Sequence, residues 1–226
     1  MKKIFFCLLL FLAGGLIISA EEILTADKYF EKVSARFGNI VDYEANLKIT
    51  QDETESSGTV YYKRPHLLRI NFSNPAEQVI VSNGKKLLVY IPKYQVILEQ
   101  ELNPKSERSI QAMATSQGLN FLRDNYTISF LTGPDPIPLD EQSQEKVIKL
   151  KFVWRNVKEG FREIIISFSE NGLIRRIVGK QAITNKTFQF DYTNIILNQG
   201  IPDERFEYEP PPYANVYGNF LYEGNY

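Results

Sequence analysis

The segment from residue 58 to residue 92, GTVYYKRPHLLRINFSNPAEQVIVSNGKKLLVYIP, constrains the fold more than any other part of the chain. Apolar and polar residues alternate in several short runs, and a period of two is typical of a β-strand with one buried face. Asn83-Gly84 lies between two apolar runs and predicts a hairpin with a type I′ turn, in which both central residues need positive φ. The segment therefore predicts an antiparallel meander with one continuous apolar surface.

Two helical segments are predicted around this meander. Residues 23–37 have apolar positions at helical spacing, with Thr25 as the N-cap and Gly38 as the end. Residues 107–115 predict a second, weakly amphipathic helix with Ile110 and Met113 on its apolar side. The apolar residues 119–122 add a further turn or two. These are too few helices for the crossovers of a parallel sheet.

The remaining pattern is that of an antiparallel β protein. We expect a polar hairpin loop at residues 52–57, a solvated proline-rich acidic loop at 133–144, and a hairpin through Glu170-Asn171-Gly172. The fold class is mainly β (α+β): about ten or eleven strands in a single strongly curved antiparallel sheet, an open half-barrel with helices over its apolar concave face. Further strands are expected at residues 41–51, 95–98, 126–131, 146–154, 161–168, 173–178 and 187–197.

The amino-terminal residues predict a secretory signal peptide over residues 1–20. The start is basic, residues 4–18 are almost all apolar, and Ser19-Ala20 supplies the small residues of a cleavage site. An uncleaved membrane anchor is the alternative, but a span needs ~20 apolar residues. The single cysteine, Cys7, lies early in the apolar run, so the mature chain is expected to carry neither its own lipid nor a disulfide. No linker divides the rest, which predicts one domain at 21–212 and an aromatic tail at 213–226.

Composition and motifs argue against an enzyme, a cofactor or a nucleic-acid partner. Removing Lys2 and Lys3 from the 26 basic residues leaves 24 against 27 acidic residues, a net charge of −3 without a basic footprint. His66 is the sole histidine, and no nucleophile elbow, P-loop or dinucleotide motif is present. The acidic residues Asp135, Asp140 and Glu141 lack the spacing of a calcium loop. We expect no catalytic residue and no metal site.

Arg64 is the side chain with the clearest candidate role. Because side chains alternate along a strand, Arg64 shares a face with the apolar residues that precede it and lies at the edge of the expected concavity. The free carbonyls at the end of a covering helix could accept its hydrogen bonds, whereas a surface arginine lying over apolar neighbours is the alternative. The residues expected on the same face are Val60, Tyr62, Leu68, Ile70 and Phe72.

The order of short motifs in this segment resembles the core of the LolA family, the periplasmic carriers of outer-membrane lipoproteins. The motifs are Lys63-Arg64-Pro65, Asn74-Pro75, Ser82-Asn83-Gly84-Lys85 and Leu88-Val89-Tyr90-Ile91-Pro92. The family also ends with an aromatic strand and a Pro-Pro, as residues 206–211 (FEYEPP) do. The chain departs from the family pattern in its 133–144 loop, in the absence of a tryptophan at residues 87–90, and in its tail.

The resemblance implies a role for specific residues. Arg64 matches the family's arginine that fastens a helical lid, and Leu68 stands where the family has a bulky aromatic. Together with the apolar face described above, Tyr90, Ile110 and Met113 complete the lipid-binding and lid-latch set that the resemblance implies.

The implied function is that of a periplasmic carrier, most simply a monomer, that takes acylated lipoproteins from an inner-membrane ABC-type releasing complex to an outer-membrane acceptor. Two alternatives remain open at this point. One is a periplasmic protein that binds other lipids or glycolipids, and the other is a lipoprotein-sensing scaffold with the same fold.

Overall fold

Two α-helices, thirteen strands and two 3₁₀ turns make up the described part of the computed structural model, which covers residues 24–102, 114–155 and 160–219. The predicted signal peptide, Ile110 and Met113 lie outside these residues. The helices are α1 (Ala26–Gly38) and α2 (Ser116–Asn125), and the 3₁₀ turns are Pro92–Tyr94 and Asp203–Phe206. The strands are β1 (Asp42–Gln51), β2 (Thr54–Lys63), β3 (Leu67–Asn74), β4 (Val79–Asn83), β5 (Lys86–Ile91), β6 (Val96–Glu101), β7 (Tyr126–Phe130), β8 (Ile137–Pro138), β9 (Lys146–Trp154), β10 (Phe161–Ser169), β11 (Ile174–Gln181), β12 (Thr187–Leu197) and β13 (Asn215–Gly218).

All thirteen strands belong to one sheet, so the predicted fold class is confirmed with more strands than expected. The order is β13-β6-β5-β4-β3-β2-β1-β12-β11-β10-β9-β7, and β8 pairs with β9. Two antiparallel meanders meet where β1 pairs with β12. Only β13 runs parallel to its neighbour, β6. One hydrophobic core lies between the inner face of this sheet and the two helices.

Helix α1 forms where the sequence predicts it. The Thr25 hydroxyl accepts a hydrogen bond from the backbone N–H of Lys28 at 3.2 Å, which satisfies one of the free donors of the first turn. Asp27 in the first turn and Arg36 in the last turn both oppose the partial charges of the helix ends. The buried side is the one predicted by the apolar spacing, with Tyr29, Phe30, Val33 and Phe37 turned towards the sheet.

Helix α2 begins later than the predicted second helix ends. Thr115 has extended backbone angles (φ −124°, ψ 160°), and its hydroxyl accepts from the N–H of Gly118 at 3.0 Å, so it is an N-cap and not a helix end. The prediction of a helix through residue 115 is therefore wrong at its carboxyl end, and residues 107–113 lie outside the described part. The apolar residues at 119–122 do form helix, and Leu119 and Leu122 are fully buried.

Three local predictions are corrected by the strand ends. The polar residues 54–57 are strand, because β1 and β2 stay paired up to a turn at Asp52, which has a positive φ. At the β4–β5 hairpin only Gly84 has a positive φ, and the Asn83 side chain accepts from the N–H groups of Lys85 and Lys86, so the turn is not type I′. Residues 206–211 form no strand: a 3₁₀ turn ends at Phe206 and an extended segment follows.

Two segments cover the outer face of the sheet. Residues 201–213 cross β3, where the Arg69 guanidinium donates to the carbonyls of Arg205 (3.0 Å) and Glu207 (2.9 Å). The acidic loop is largely exposed, as predicted, and ion pairs also tie it to the sheet. A bulge in β11 leaves Arg175 unpaired in the ladder, and Arg175 forms a two-pronged ion pair with Glu145 while Arg176 contacts Asp140.

Candidate functional site

Five of the predicted apolar residues lie together on the inner face of the sheet. Strand register pairs Val60 with Ile70 and Tyr62 with Leu68, and directly paired residues point to the same side. All five are 2–7% exposed and belong to the main hydrophobic cluster. The alternation in β2 and β3 thus gave the correct face for Val60, Tyr62, Leu68, Ile70 and Phe72.

Strand β1 contributes a third set of inward-facing residues, which sequence reasoning did not assign to the site. Tyr43 pairs with Tyr62, Ala45 pairs with Val60, and Leu47 pairs with Gly58. The alternation of apolar residues at 41–51 predicts this strand, and it is also the sequence signal for the strand's inward-facing residues. Gly58 is required here because a Cβ at this position would lie 2.2 Å from the carbonyl oxygen of Asn71.

The second meander extends the same apolar surface. Its inward residues are almost completely inaccessible to solvent and interlock with aromatic residues of α1. The ring of Phe30 meets that of Phe152 edge-on at 5.1 Å, and Tyr29 meets Phe168 at 6.0 Å. The inner surface of this half consists of Leu150, Phe152, Ile164, Ile166, Phe168, Ile174 and Ile177.

Arg64 lies at the end of the sheet where α1 ends. Its backbone N–H donates to the carbonyl of Val41 at 2.9 Å, and its guanidinium Nη1 lies 3.4 Å from the carbonyl oxygen of Gly38, the last residue of α1. The side chain is exposed, and this distance is long for an N–H···O hydrogen bond. The structure thus places Arg64 against the free carbonyl end of a covering helix, through a weak and solvated contact.

Tyr43 makes a second polar contact between the sheet and its helical cover, which consists of α1 and α2. Its hydroxyl donates to the carbonyl oxygen of Ala114, the residue before the N-cap of α2, at 3.3 Å. The ring lies 5.3 Å from that of Tyr62. Burial raises the pKa of Tyr43 well above its usual value, and the nearby phenols of Tyr192 and Tyr62 add to the shift, so the hydroxyl keeps its proton.

Tyr90 does not belong to this surface. It pairs with Val79, which pairs with Asn71, and this row points to the outer face. There the Tyr90 ring lies 6.2 Å from that of Tyr208, and a hydrogen bond with Tyr213 raises the pKa of Tyr90 to about 12. Tyr90 is therefore packed beneath the segment that crosses the outer face.

Trp154 is partly buried and packs against the hydrophobic core. Its ring lies 4.8 Å from that of Tyr126 and 5.9 Å from that of Phe121 in α2. Within residues 24–102, 114–155 and 160–219, no group of three or more His, Cys, Asp or Glu side chains is arranged to hold a metal ion. Neither described helix has the length and apolar character needed to cross a membrane. What the inner surface offers chemically is apolar contact, with the hydroxyls of Tyr43 and Tyr62 at the end where α1 stops.

Comparison with known proteins gives one consistent result. The sequence profile described as "Outer membrane lipoprotein carrier protein LolA" matches residues 30–209. The chain is 25% identical over 223 residues to the outer-membrane lipoprotein carrier protein of Legionella pneumophila (strain Paris), which covers 96% of this chain and 98% of that protein. It is also 25% identical over 164 residues to the protein of the same name from Dechloromonas aromatica, covering 73% and 72% of the two chains.

A solved structure shares the fold. The crystal structure of an uncharacterized conserved protein from Thermus thermophilus has a TM-score of 0.55 at 11% identity and covers 85% of this chain and 99% of its own. At this identity the likeness concerns the fold alone.

Proposed function

This chain belongs to the LolA family of outer-membrane lipoprotein carrier proteins, and on that premise we propose that it binds the acyl chains of lipoproteins between its curved sheet and its two helices. The observation that carries the proposal is the continuous apolar inner surface, formed by both meanders and buried by α1 and α2. Acyl chains contribute about 0.8 kcal/mol per buried methylene, so a carrier in water must hold them against such a surface.

The way the helices are held supports this role. At the end of the sheet where α1 stops, the polar contacts between sheet and cover described above are long: 3.4 Å at Arg64 and 3.3 Å at Tyr43. Hydrogen bonds of ordinary length contribute only about 0.5–1.5 kcal/mol net, and longer ones contribute less. Apolar packing therefore holds α1 and α2 in place, and acyl chains can replace that packing with contacts of the same kind.

The full transport reaction is part of the proposal. The relatives named above are outer-membrane lipoprotein carriers, and the amino-terminal residues predict export through a cleaved signal peptide. We infer that the mature chain works in the periplasm, receives lipoproteins from an ABC-type complex of the inner membrane, and passes them to an acceptor at the outer membrane. The protein binds and releases its cargo without chemistry of its own.

The first experiment identifies the cargo. The mature chain, beginning at Glu21, is purified from a periplasmic fraction without detergent, and its bound molecules are extracted and measured by mass spectrometry. Acylated lipoproteins are the expected result. Free phospholipid or glycolipid would move the protein to a different class of lipid carrier, and a protein that remains empty when offered purified lipoprotein would overturn the proposal.

The second experiment tests whether the Arg64 contact contributes to the closure of α1. Arg64→Leu removes the guanidinium at the Gly38 carbonyl, and we expect lipid to be bound still while transfer to an acceptor membrane falls several-fold. Arg162→Leu is the matched control, because Arg162 is an exposed strand arginine of the other meander. The fluorescence of Trp154, which packs against α2, follows movement of the cover during loading. Equal transfer by both variants would remove Arg64 from the mechanism.

A further inference from the structure

One polar group on the apolar inner surface has a poorly matched partner. The hydroxyl of Tyr43 is buried and donates to the Ala114 carbonyl oxygen at 3.3 Å. The hydroxyl of Tyr126, buried in the same core, donates to the Phe161 carbonyl oxygen at 2.8 Å. Hydrogen bonds between a hydroxyl and an oxygen are normally 2.7–2.8 Å long, so Tyr126 is well satisfied and Tyr43 is not.

The position of Tyr43 makes this mismatch relevant to cargo. Tyr43 and its cross-strand partner Tyr62 form the row of inner-surface residues nearest the end of the sheet where α1 stops. The next two rows, which contain Ala45 with Val60 and Leu47 with Gly58, follow at about 7 Å each along the strands. A chain entering from this end therefore meets the phenol first and apolar residues afterwards.

Movement of the cover would leave the Tyr43 hydroxyl without an acceptor. Its present acceptor, Ala114, directly precedes the N-cap of α2 and would move with that helix. A buried hydroxyl without a hydrogen bond is unfavourable, so a loaded state needs another acceptor at this place. An acyl chain carries one such group at its root: the carbonyl oxygen of its ester or amide bond, which accepts and cannot donate.

We propose that Tyr43 forms a carbonyl-binding subsite, where its hydroxyl donates to an ester or amide carbonyl at the root of the cargo's acyl chains in place of the Ala114 carbonyl. The inference rests on the proposed function and adds to it a polar contact that fixes how deep the chains enter. It also gives the ligand chemistry: acyl chains joined through carbonyl groups are preferred to alkyl chains of equal length.

The test compares two synthetic lipopeptides that differ only in these carbonyl groups. One carries a dipalmitoylglyceryl group on its cysteine through ester bonds, and the other carries the matching dialkyl group through ether bonds. The affinity of the wild-type mature chain for each is measured by Trp154 fluorescence or by competition. We expect the ester ligand to bind about five- to tenfold more tightly, the factor that corresponds to one neutral hydrogen bond.

Tyr43→Phe should abolish this preference and bring the two affinities together, because neither ligand then gains a hydrogen bond from residue 43 or leaves a buried hydroxyl without an acceptor. Tyr126→Phe, which removes a buried hydroxyl with a well-placed partner away from the entrance, should keep the preference. An infrared spectrum of an ester carrying labelled carbonyl carbon provides a second readout on the wild-type protein, since a hydrogen-bonded carbonyl absorbs at lower frequency.

The outcomes separate the subsite from the carrier function. Equal affinity of the wild-type protein for both ligands, an unshifted carbonyl band, or a preference that survives in Tyr43→Phe would overturn the subsite and leave the carrier function standing. Binding of neither lipopeptide would refute the carrier function itself.

Discussion

The buried carboxylate of Asp42 provides the sharpest test of how the carboxyl-terminal part of the chain is attached to the sheet. Asp42 is 1% exposed at the start of β1. One oxygen accepts from the N–H of Gln199 at 2.8 Å, and the other accepts from Gly200 at 3.0 Å and Ile201 at 3.3 Å. The side chain thus satisfies three consecutive backbone donors where the chain leaves β12 and turns to the outer face.

Asp42→Asn keeps the size of this side chain and replaces one acceptor oxygen by a donor. An asparagine oxygen facing Gly200 and Ile201 preserves two of the bonds in neutral form, whereas the Gln199 N–H then faces an NH₂ group. Hydrogen bonds to a charged group contribute about 1.5–3 kcal/mol, and a buried unsatisfied donor is unfavourable by a similar amount. We expect a loss of about 3 kcal/mol in the free energy of unfolding, and a melting temperature lower by about 6–12 °C.

The measurement is urea unfolding of the mature chain followed by Trp154 fluorescence. Asp203→Asn is the matched control, because Asp203 holds the same segment through an ion pair with Lys63 but its side chain is 72% exposed. Exposed ion pairs contribute about 0–1 kcal/mol, so the control should unfold close to the wild-type urea concentration. A loss below about 1 kcal/mol in Asp42→Asn, no greater than that of the control, would refute the reasoning that backbone donors at 199–201 depend on this carboxylate.

Two further predictions concern the core. Gly58→Ala should destabilise the protein by about 2–4 kcal/mol, because its Cβ would overlap the Asn71 carbonyl. Gly38→Ala is the control: nothing lies within 4 Å of the added atom, so stability should change by less than about 1 kcal/mol. Equal urea midpoints for the two variants would contradict the close approach of Gly58 to the Asn71 carbonyl. The free energy of unfolding should also be constant from neutral pH to about pH 10 and then decline by up to about 1.4 kcal/mol per pH unit for each buried tyrosine. The decline begins there because the unfolded chain loses its phenolic protons near pH 10, whereas the raised pKa values keep the buried phenols protonated in the folded state. Unchanged urea midpoints between about pH 8 and pH 11 would show that these phenols ionise equally well in the folded state. Burial raises the pKa of Tyr29 (to about 12), Tyr43, Tyr126 and Tyr192.

The parts of the site that the sequence predicts are those in which one face of an element is buried. In β2 and β3 the apolar residues alternate with polar ones, and the paired rows through Val60 and Tyr62 follow directly from that alternation. In α1 the cap residue Thr25 and the apolar spacing were both readable, because a helix end leaves donors that a hydroxyl satisfies.

The parts that could not be predicted depend on contacts between distant segments. Strand β5 reads KLLVYI, a run without alternation, because both of its faces are covered, and so the side on which Tyr90 lies could not be deduced. The role of Tyr43 depends on Ala114, which lies 71 residues away in the sequence. Asp42 is one carboxylate among many in the sequence, and only the return of the chain at 199–201 distinguishes it.

The packing of α1 and α2 also decides how cargo can enter. These helices bury large side chains such as Phe30, Leu119 and Leu122, and exposing each one fully to water is unfavourable by about 1.5–3 kcal/mol. Lifting both helices without replacement would therefore consume free energy comparable with the entire stability of a typical domain, about 5–15 kcal/mol. The polar contacts at Arg64 and Tyr43 are too weak to control this step by their own strength. Under the proposed function, acyl chains must take over the inner surface as the helices leave it, and the polar contacts at the entrance set where that exchange begins.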